Sequence, residues 1–280
     1  MGDLILDGCA PAPLASYLKA IGALRVVAGQ ADPAARGWWS GDRFVLSCGL
    51  DAESLVEFFL DRYRPTPAVS PWNRASGFYP KDQRAAIERI ERDSSPRLAH
   101  YREAITTGRA AVTAVAGLGA KEAKVALVAR CRASCPDEAL EWMDAALVLS
   151  PDGQQLQYPP LLLSGGNDGR LDFSNNFMQR LCDVLPSLGD DDAGHRERSA
   201  GWLRAALFGD GSPPLRDAAV GMFNPGGAGG ANAAAGFSGA SRVNPWGDAL
   251  AASSGSLSAS SPTAGLSRWI LPMAAWAISI

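Results

Sequence analysis

The apolar residues in the first part of the chain follow two patterns. Short stretches predict strands, and longer stretches with helical spacing predict helices. Residues 4–6 are apolar and predict a short opening strand, and Pro13 then begins a helix with apolar residues at helical spacing. Residues 38–48 predict a β-hairpin that turns at residues 40–42, with alternate side chains on one buried face. Asp51 is placed to cap the helix that follows.

Helical periodicity dominates the middle of the chain. Residues 82–148 predict several helices, with Asp82 as the cap of the first and Pro136 at the start of the last, and residues 195–208 predict another. We interpret residues 82–148 as a helical insert. The patterns together indicate an α+β protein, in which short N-terminal strands and a β-hairpin precede a mostly helical remainder with long glycine-rich loops.

The most distinctive stretch, residues 158–185, joins a glycine-rich turn to a helix. Its sequence is YPPLLLSGGNDGRLDFSNNFMQRLCDVL, and Asp172 or Ser174 is the expected N-cap of the helix. Glycines let another molecule approach the backbone, and a helix N-terminus with Arg170 beside it suits an anion such as phosphate. A tight turn before a well-capped core helix explains the same residues, so both interpretations stay open.

Residues 64–81, RPTPAVSPWNRASGFYPK, form a second informative stretch. Their prolines exclude a helix, yet the segment carries three aromatic residues among basic ones. Interleaved basic and aromatic residues bind nucleic-acid backbones and stack on bases. The alternative is a loop whose aromatic side chains pin it to the core, and the sequence does not decide between the two.

Composition narrows the classes of function. The 280 residues carry a net charge of −3, which gives no global basic field for nucleic acid but leaves local patches open. The sequence contains no P-loop, no HExxH motif, no paired CxxC motif and no nucleophile elbow. Five widely spaced cysteines argue against a disulfide framework and fit a reducing compartment. We therefore expect a cytoplasmic protein without a visible active site, and we expect no cofactor and no metal; that it is not an enzyme is implied only by the resemblance described next.

Four segments together resemble one family. They are LDGCAPAPLASYLKAIGALRVVA; ARGWWSGDRFVL with YRPTP and PWNRASGFYPKD; LLLSGGNDGRLDFSNNFMQR; and the glycine-rich GMFNPGGAGGANAAAGFSGASRVNPW. They are similar to the N-terminal portion of the CRISPR-associated large-subunit family (Csx-type, Cas eight-like) of the type I-U interference complex, also called I-G. The similarity covers residues 1–246. In that family a glycine pair follows Pro-Trp-Asn, where this chain has Arg74-Ala75.

The resemblance implies a non-catalytic, DNA-binding subunit of an RNA-guided antiviral complex. Such a subunit recognises the short motif next to the target and helps stabilise the opened duplex, while the guide RNA reads the sequence. The implied partners are the other subunits of the CRISPR complex, the guide RNA, the target double-stranded DNA and a recruited helicase-nuclease, with no membrane.

The two informative stretches supply the candidate nucleic-acid contacts. Asparagine and glutamine read base edges, arginine reads guanine or binds phosphate, and aromatic rings stack on bases. The candidates are Asn167, Asp168, Arg170, Asn175, Asn176, Gln179, Arg180, Trp72, Asn73, Arg74, Phe78 and Lys81.

Residues 247–280 depart from the family pattern. They are rich in serine and alanine, and we expect an atypical tail without helical patterning, produced by a truncation or frameshift near Trp246. Two other interpretations stay open. One is a glycine-loop enzyme that acts on a phosphorylated small molecule with Asp168 as its acid–base group, and the other is an inert truncated fragment.

Overall fold

The computed structural model describes residues 2–149, 156–157, 173–189, 194–219 and 240–254. It is a mixed α+β structure that is mostly helical, as the sequence predicts. The N-terminal elements are β1 (Gly2–Leu6), α1 (Leu14–Gln30), β2 (Arg36–Ser40), β3 (Arg43–Cys48), α2 (Ala52–Glu57) and the π-helical turn that continues it (Phe58–Arg62).

The three N-terminal strands form one antiparallel sheet in the order β1-β3-β2. The predicted hairpin pairs Trp38 with Val45, and Gly41 takes a positive φ of 64° at its turn. Alternate side chains of β3 face the core, as predicted. The Asp51 carboxylate accepts a 2.8 Å bond from the backbone N–H of Ser54, which confirms Asp51 as the cap of α2.

Residues 85–146 form several helices joined by short connections, as predicted. The elements are α3 (Ala85–Arg92), a 3₁₀ turn (Pro96–Leu98), α4 (Ala99–Ala114), α5 (Ala120–Ser134) and α6 (Asp137–Ala146). Pro136 is the N-cap of α6, which confirms that prediction. The prediction that Asp82 caps the first of these helices is wrong, because Arg84 is the N-cap of α3 and the Asp82 side chain binds a loop instead.

The C-terminal half of the described chain adds the remaining elements. They are β4 (Val148–Leu149), β5 (Leu156–Gln157), α7 (Phe173–Val184), α8 (His195–Phe208), β6 (Arg216–Ala219), β7 (Ala240–Val243) and α9 (Pro245–Ser253). Ser174 lies inside the first turn of α7, so its prediction as the N-cap is wrong. The alternative cap, Asp172, lies outside the described residues, as do Asn167, Asp168 and Arg170.

The segment after Trp246 is helical, which corrects the expectation of a tail without helical patterning from residue 247 onward. Helix α9 runs through to Ser253, and the Asn244 side chain caps it by accepting from the backbone N–H groups of Trp246 and Gly247. Trp246 is fully buried and donates its indole N–H to the Ser199 hydroxyl at 2.8 Å. Residues 247–253 therefore belong to the folded core.

Helix α9 packs directly against α1. A Cβ atom on Gly22 would lie 1.9 Å from the carbonyl oxygen of Leu250, so the two backbones meet where only glycine fits. Arg25, one turn further along α1, donates to the carbonyl oxygen of Ser253 at 2.7 Å. Within the described ranges, no helix has both the length and the apolar character needed to cross a membrane.

Replacing Gly22 with alanine tests this crossing. The added methyl group would overlap the backbone of α9, and neither backbone yields as easily as a side chain, so we expect a loss of stability of about 3 kcal/mol or more. Gly29→Ala is the matched control in the same helix, because nothing lies within 4 Å of the added Cβ there. We expect that variant to gain about 0.5–1 kcal/mol. Urea unfolding measures both, and equal stabilities would contradict the crossing.

Candidate nucleic-acid interface

The two informative stretches of the sequence meet at one cleft. It has a volume of about 850 Å³ and lies between the loop that precedes α3 and the first two turns of α7. Five predicted candidates line this cleft, together with residues that the sequence did not single out. The lining residues are Arg74, Ala75, Tyr79, Pro80, Lys81, Asp82, Gln83, Asn175, Asn176 and Gln179.

Asp82 folds the loop side of the cleft around its carboxylate. One oxygen accepts from the backbone N–H of Ala75 at 3.0 Å, and the other accepts from Gly77 at 3.0 Å and Tyr79 at 3.1 Å. Three bonds to a charged acceptor hold the backbone in a single turn. Gly77 has φ of 93° within this turn, and Ala75 has φ of 64°, a left-handed conformation that disfavours residues with a Cβ atom.

Tyr79 fixes the position of Arg74. The tyrosine hydroxyl donates to the carbonyl oxygen of Pro71 at 2.6 Å, and burial raises the pKa of the phenol, so it remains a donor. The Arg74 guanidinium lies 4.1 Å from the centre of the Tyr79 ring, a cation–π contact. Arg74 and Lys81 are both exposed at this rim. The cleft therefore carries two cations, one of them held in place by an aromatic ring.

Helix α7 supplies the amide side of the cleft. Asn175 is 5% exposed and donates through its side-chain nitrogen to the carbonyl oxygens of Ala75 at 2.7 Å and Gln83 at 3.1 Å. Its amide donor therefore clamps the loop to the helix. Gln179 donates to the side-chain oxygen of Gln83 at 3.2 Å, and Asn176 lines the cleft half-buried. Carboxamides present both donors and acceptors to a ligand.

Three loop candidates are core residues. Trp72, Asn73 and Phe78 are 5%, 2% and 7% exposed. Phe78 packs against α4, since a Cβ on Gly108 would lie 2.6 Å from its ring. The expectation of exposed rings that stack on bases is corrected, because burial of their apolar surface in the core is more favourable than leaving it in water. The alternative interpretation, a loop pinned by its aromatic residues, describes these side chains.

Arg180 also lies apart from the cleft. Its side chain is 13% exposed and forms a 3.0 Å ion pair with Asp183, which Arg216 contacts from the other side at 3.0 Å. The pKa of nearby Asp248 is raised to about 7, chiefly by burial, with Arg180 acting to lower it and Asp183 to raise it. Arg180 is thus part of an internal ion network with Asp183 and Arg216, and the structure does not bring this predicted contact together with the residues of the cleft.

Sequence reasoning missed the residues that shape the cleft. The helical pattern predicts Asp82 as a cap, although the signal for its observed role is local: an aspartate that closely follows a glycine-containing turn accepts backbone N–H groups. The sequence shows that Tyr79 is aromatic but does not indicate that its ring supports Arg74. Over the part of the chain that the structure describes, no group of three His, Cys, Asp or Glu side chains is arranged to hold a metal ion.

No protein-family model matches this chain, and no curated protein matches it. The family resemblance therefore rests on the four sequence segments alone. What the cleft can bind is inferred from the contacts and charges of its lining residues.

The left-handed backbone of Ala75 gives a test of the loop. Ala75→Gly removes the steric cost of this conformation, so we expect a gain in stability of about 1 kcal/mol. Ala129→Gly, on the exposed face of α5, is the control and should lose about 1 kcal/mol. Both are measured by urea unfolding. A loss of stability in Ala75→Gly would count against the positive φ at residue 75.

Proposed function

We propose that this protein is the non-catalytic DNA-recognition subunit of a CRISPR type I-U complex, an RNA-guided antiviral assembly. The proposed role is to help recognise the motif next to the target and to stabilise the opened duplex. One observation carries the proposal: the cleft combines Arg74 and Lys81 from one family-like segment with Asn176 and Gln179 from another. These segments are about a hundred residues apart in the chain and share one surface.

The chemistry of the cleft supports contact with DNA. Arg74 and Lys81 supply positive charge for phosphates, while Asn176 and Gln179 offer the donor and acceptor pairs that read base edges. The bonds of Asp82 and Asn175 hold the loop in advance of binding, so little conformational entropy is lost when a ligand arrives.

The remaining parts of the proposal follow from the family resemblance. The guide RNA, the other complex subunits and a recruited helicase-nuclease are proposed as partners in the cytoplasm, with target cleavage assigned to the helicase-nuclease. The glycine-loop enzyme alternative depends on Asp168, which lies outside the described residues. No described residue favours that alternative over DNA recognition.

The double variant Arg74→Ala/Lys81→Ala tests the cleft. We expect duplex affinity to fall about tenfold, and the slope of log affinity against log salt to shrink by about 2, because two phosphate contacts are lost. Fluorescence anisotropy with a labelled DNA duplex at several salt concentrations measures both. Lys121→Ala/Arg130→Ala is the matched control, since it removes the same two charges from the exposed face of α5. Equal losses in both variants would show non-specific charge attraction and contradict the proposed site.

Co-expression tests the assignment to a complex. The full chain, tagged at Met1, is expressed with the other type I-U subunits and a guide RNA, and then captured on the tag. We expect the subunits and the RNA to co-purify with it. A folded chain that elutes alone would contradict membership of the complex, whatever its affinity for DNA. Circular dichroism of the purified chain separates this outcome from a failure to fold.

A further inference from the structure

A second cleft lies on a different part of the surface and is lined by three arginines that form no direct ion pair within the described residues. Its volume is about 760 Å³, and it is formed by the π-helical turn after α2, the 3₁₀ turn before α4 and the segment after α7. Arg62, Arg64 and Arg97 line it. The two clefts share no lining residue.

Each of the three arginines is positioned by a contact with a group other than a carboxylate. The Arg97 side chain donates to the carbonyl oxygen of Leu60 at 2.6 Å. Both backbone groups of Arg64 bind the side-chain amide of Gln30, at 2.8 and 2.9 Å, while its own side chain stays exposed. Arg62 lies 5.5 Å from the centre of the buried Phe58 ring. The cations are therefore positioned by contacts that leave donors available.

The carboxylate in the cleft wall is already paired. Asp61 forms two hydrogen bonds with Arg196, which lies outside the lining, and this pairing holds the pKa of Asp61 below its usual range. No ion pair joins Arg62, Arg64 or Arg97 to a carboxylate anywhere in the described ranges. Three arginine side chains thus line the cleft without a direct ion pair, while Asp61 acts at longer range on Arg62 and Arg97, and Asp93 acts at longer range on Arg97.

Two further features point to an anionic ligand. The Ser95 hydroxyl lines the cleft and is buried, yet within the described residues it has no hydrogen-bond partner. Burial lowers the pKa of Arg97 more than the carboxylates of Asp61 and Asp93 raise it, so the hydration that this cation loses is only partly replaced by these longer-range attractions. An oxyanion in the cleft would accept from the hydroxyl and offset the desolvation of the guanidinium.

We propose that this cleft binds phosphate oxyanions, contributed either by the backbone of a single nucleic-acid strand or by a compact diphosphate group. Guanidinium groups match phosphate in geometry and charge, and several of them together suit a ligand with more than one phosphate. The proposal uses residues separate from those of the Arg74 cleft and stands whether or not that cleft binds a duplex.

The variant Arg62→Ala/Arg64→Ala of the whole 280-residue chain tests the site. Arg97 is left in place because its side chain also bonds to the backbone of Leu60. One arm measures the anisotropy of a fluorescein-labelled 20-nucleotide oligothymidylate, and the other measures calorimetric titration with pyrophosphate. For the ligand that resembles the natural one, we expect the variant to bind about tenfold more weakly than the wild-type protein. If that ligand is oligothymidylate, the slope of log affinity against log salt should also shrink by about 1.4. Lys121→Ala/Arg130→Ala again controls for charge.

The arms distinguish the sources and the two clefts. A loss confined to oligothymidylate identifies a strand, and a loss for pyrophosphate identifies a compact diphosphate. If the Arg62→Ala/Arg64→Ala variant bound both ligands with wild-type affinity, the proposal would be overturned. It would also be overturned if this variant lost no more affinity than the control variant. The Arg74→Ala/Lys81→Ala variant runs alongside, so a failure of the first cleft is visible separately from a failure of the second.

Discussion

The close approach of α1 and α9 at Gly22 is the contact on which the rest of the structure depends. It places Trp246 at the centre of the core, where its ring lies 5.6 Å from that of Phe59 and 6.0 Å from that of Tyr63. The Tyr63 hydroxyl lies 3.1 Å from that of Ser253, so α9 fixes this tyrosine at both ends. Composition predicts that most of α9 belongs to an atypical tail, yet this helix holds Tyr63, the residue between Arg62 and Arg64. The position of the second cleft is therefore set by a contact deep in the core.

The first cleft depends on the same core by another route. Phe173, the first residue of α7, stacks on Trp142 with ring centres 4.9 Å apart, and Trp142 donates to the carbonyl oxygen of Val69 at 2.9 Å. The helix and the proline-rich loop are thereby attached to one aromatic pair. Buried aromatic residues fix the loop, and the charged residues beside them stay at the surface. In this segment the aromatic residues therefore anchor the loop to the core, whereas the basic residues remain at the surface and are available to bind a ligand.

Local patterns predicted most of the elements because their causes are local. The turn at Gly41, the cap at Asp51 and the helix start at Pro136 each follow from a few neighbouring residues. Predicting the first cleft would have required information on contacts between residues that are far apart in the sequence. Asn175 bonds to residues 92 and 100 positions away, and no periodicity signals such a partner. The same limit explains the error at residue 247: serine and alanine are weak signals of a core helix until a glycine on another helix allows close packing.

A small negative net charge is compatible with anion binding at both clefts, because the relevant quantity is the local balance of charge after internal pairing. Arg180 is matched by Asp183, and Arg196 by Asp61, so these cations add little attraction for a ligand. The cations that differ form no direct ion pair within the described residues: the Arg74 guanidinium lies over the Tyr79 ring, and the Arg97 guanidinium donates to a backbone carbonyl. Arg64 is positioned through its backbone, which bonds to the Gln30 side chain. Neutral supports of this kind position an arginine without cancelling its charge. Arginines held in this way remain able to bind phosphate even on a protein whose total charge repels it.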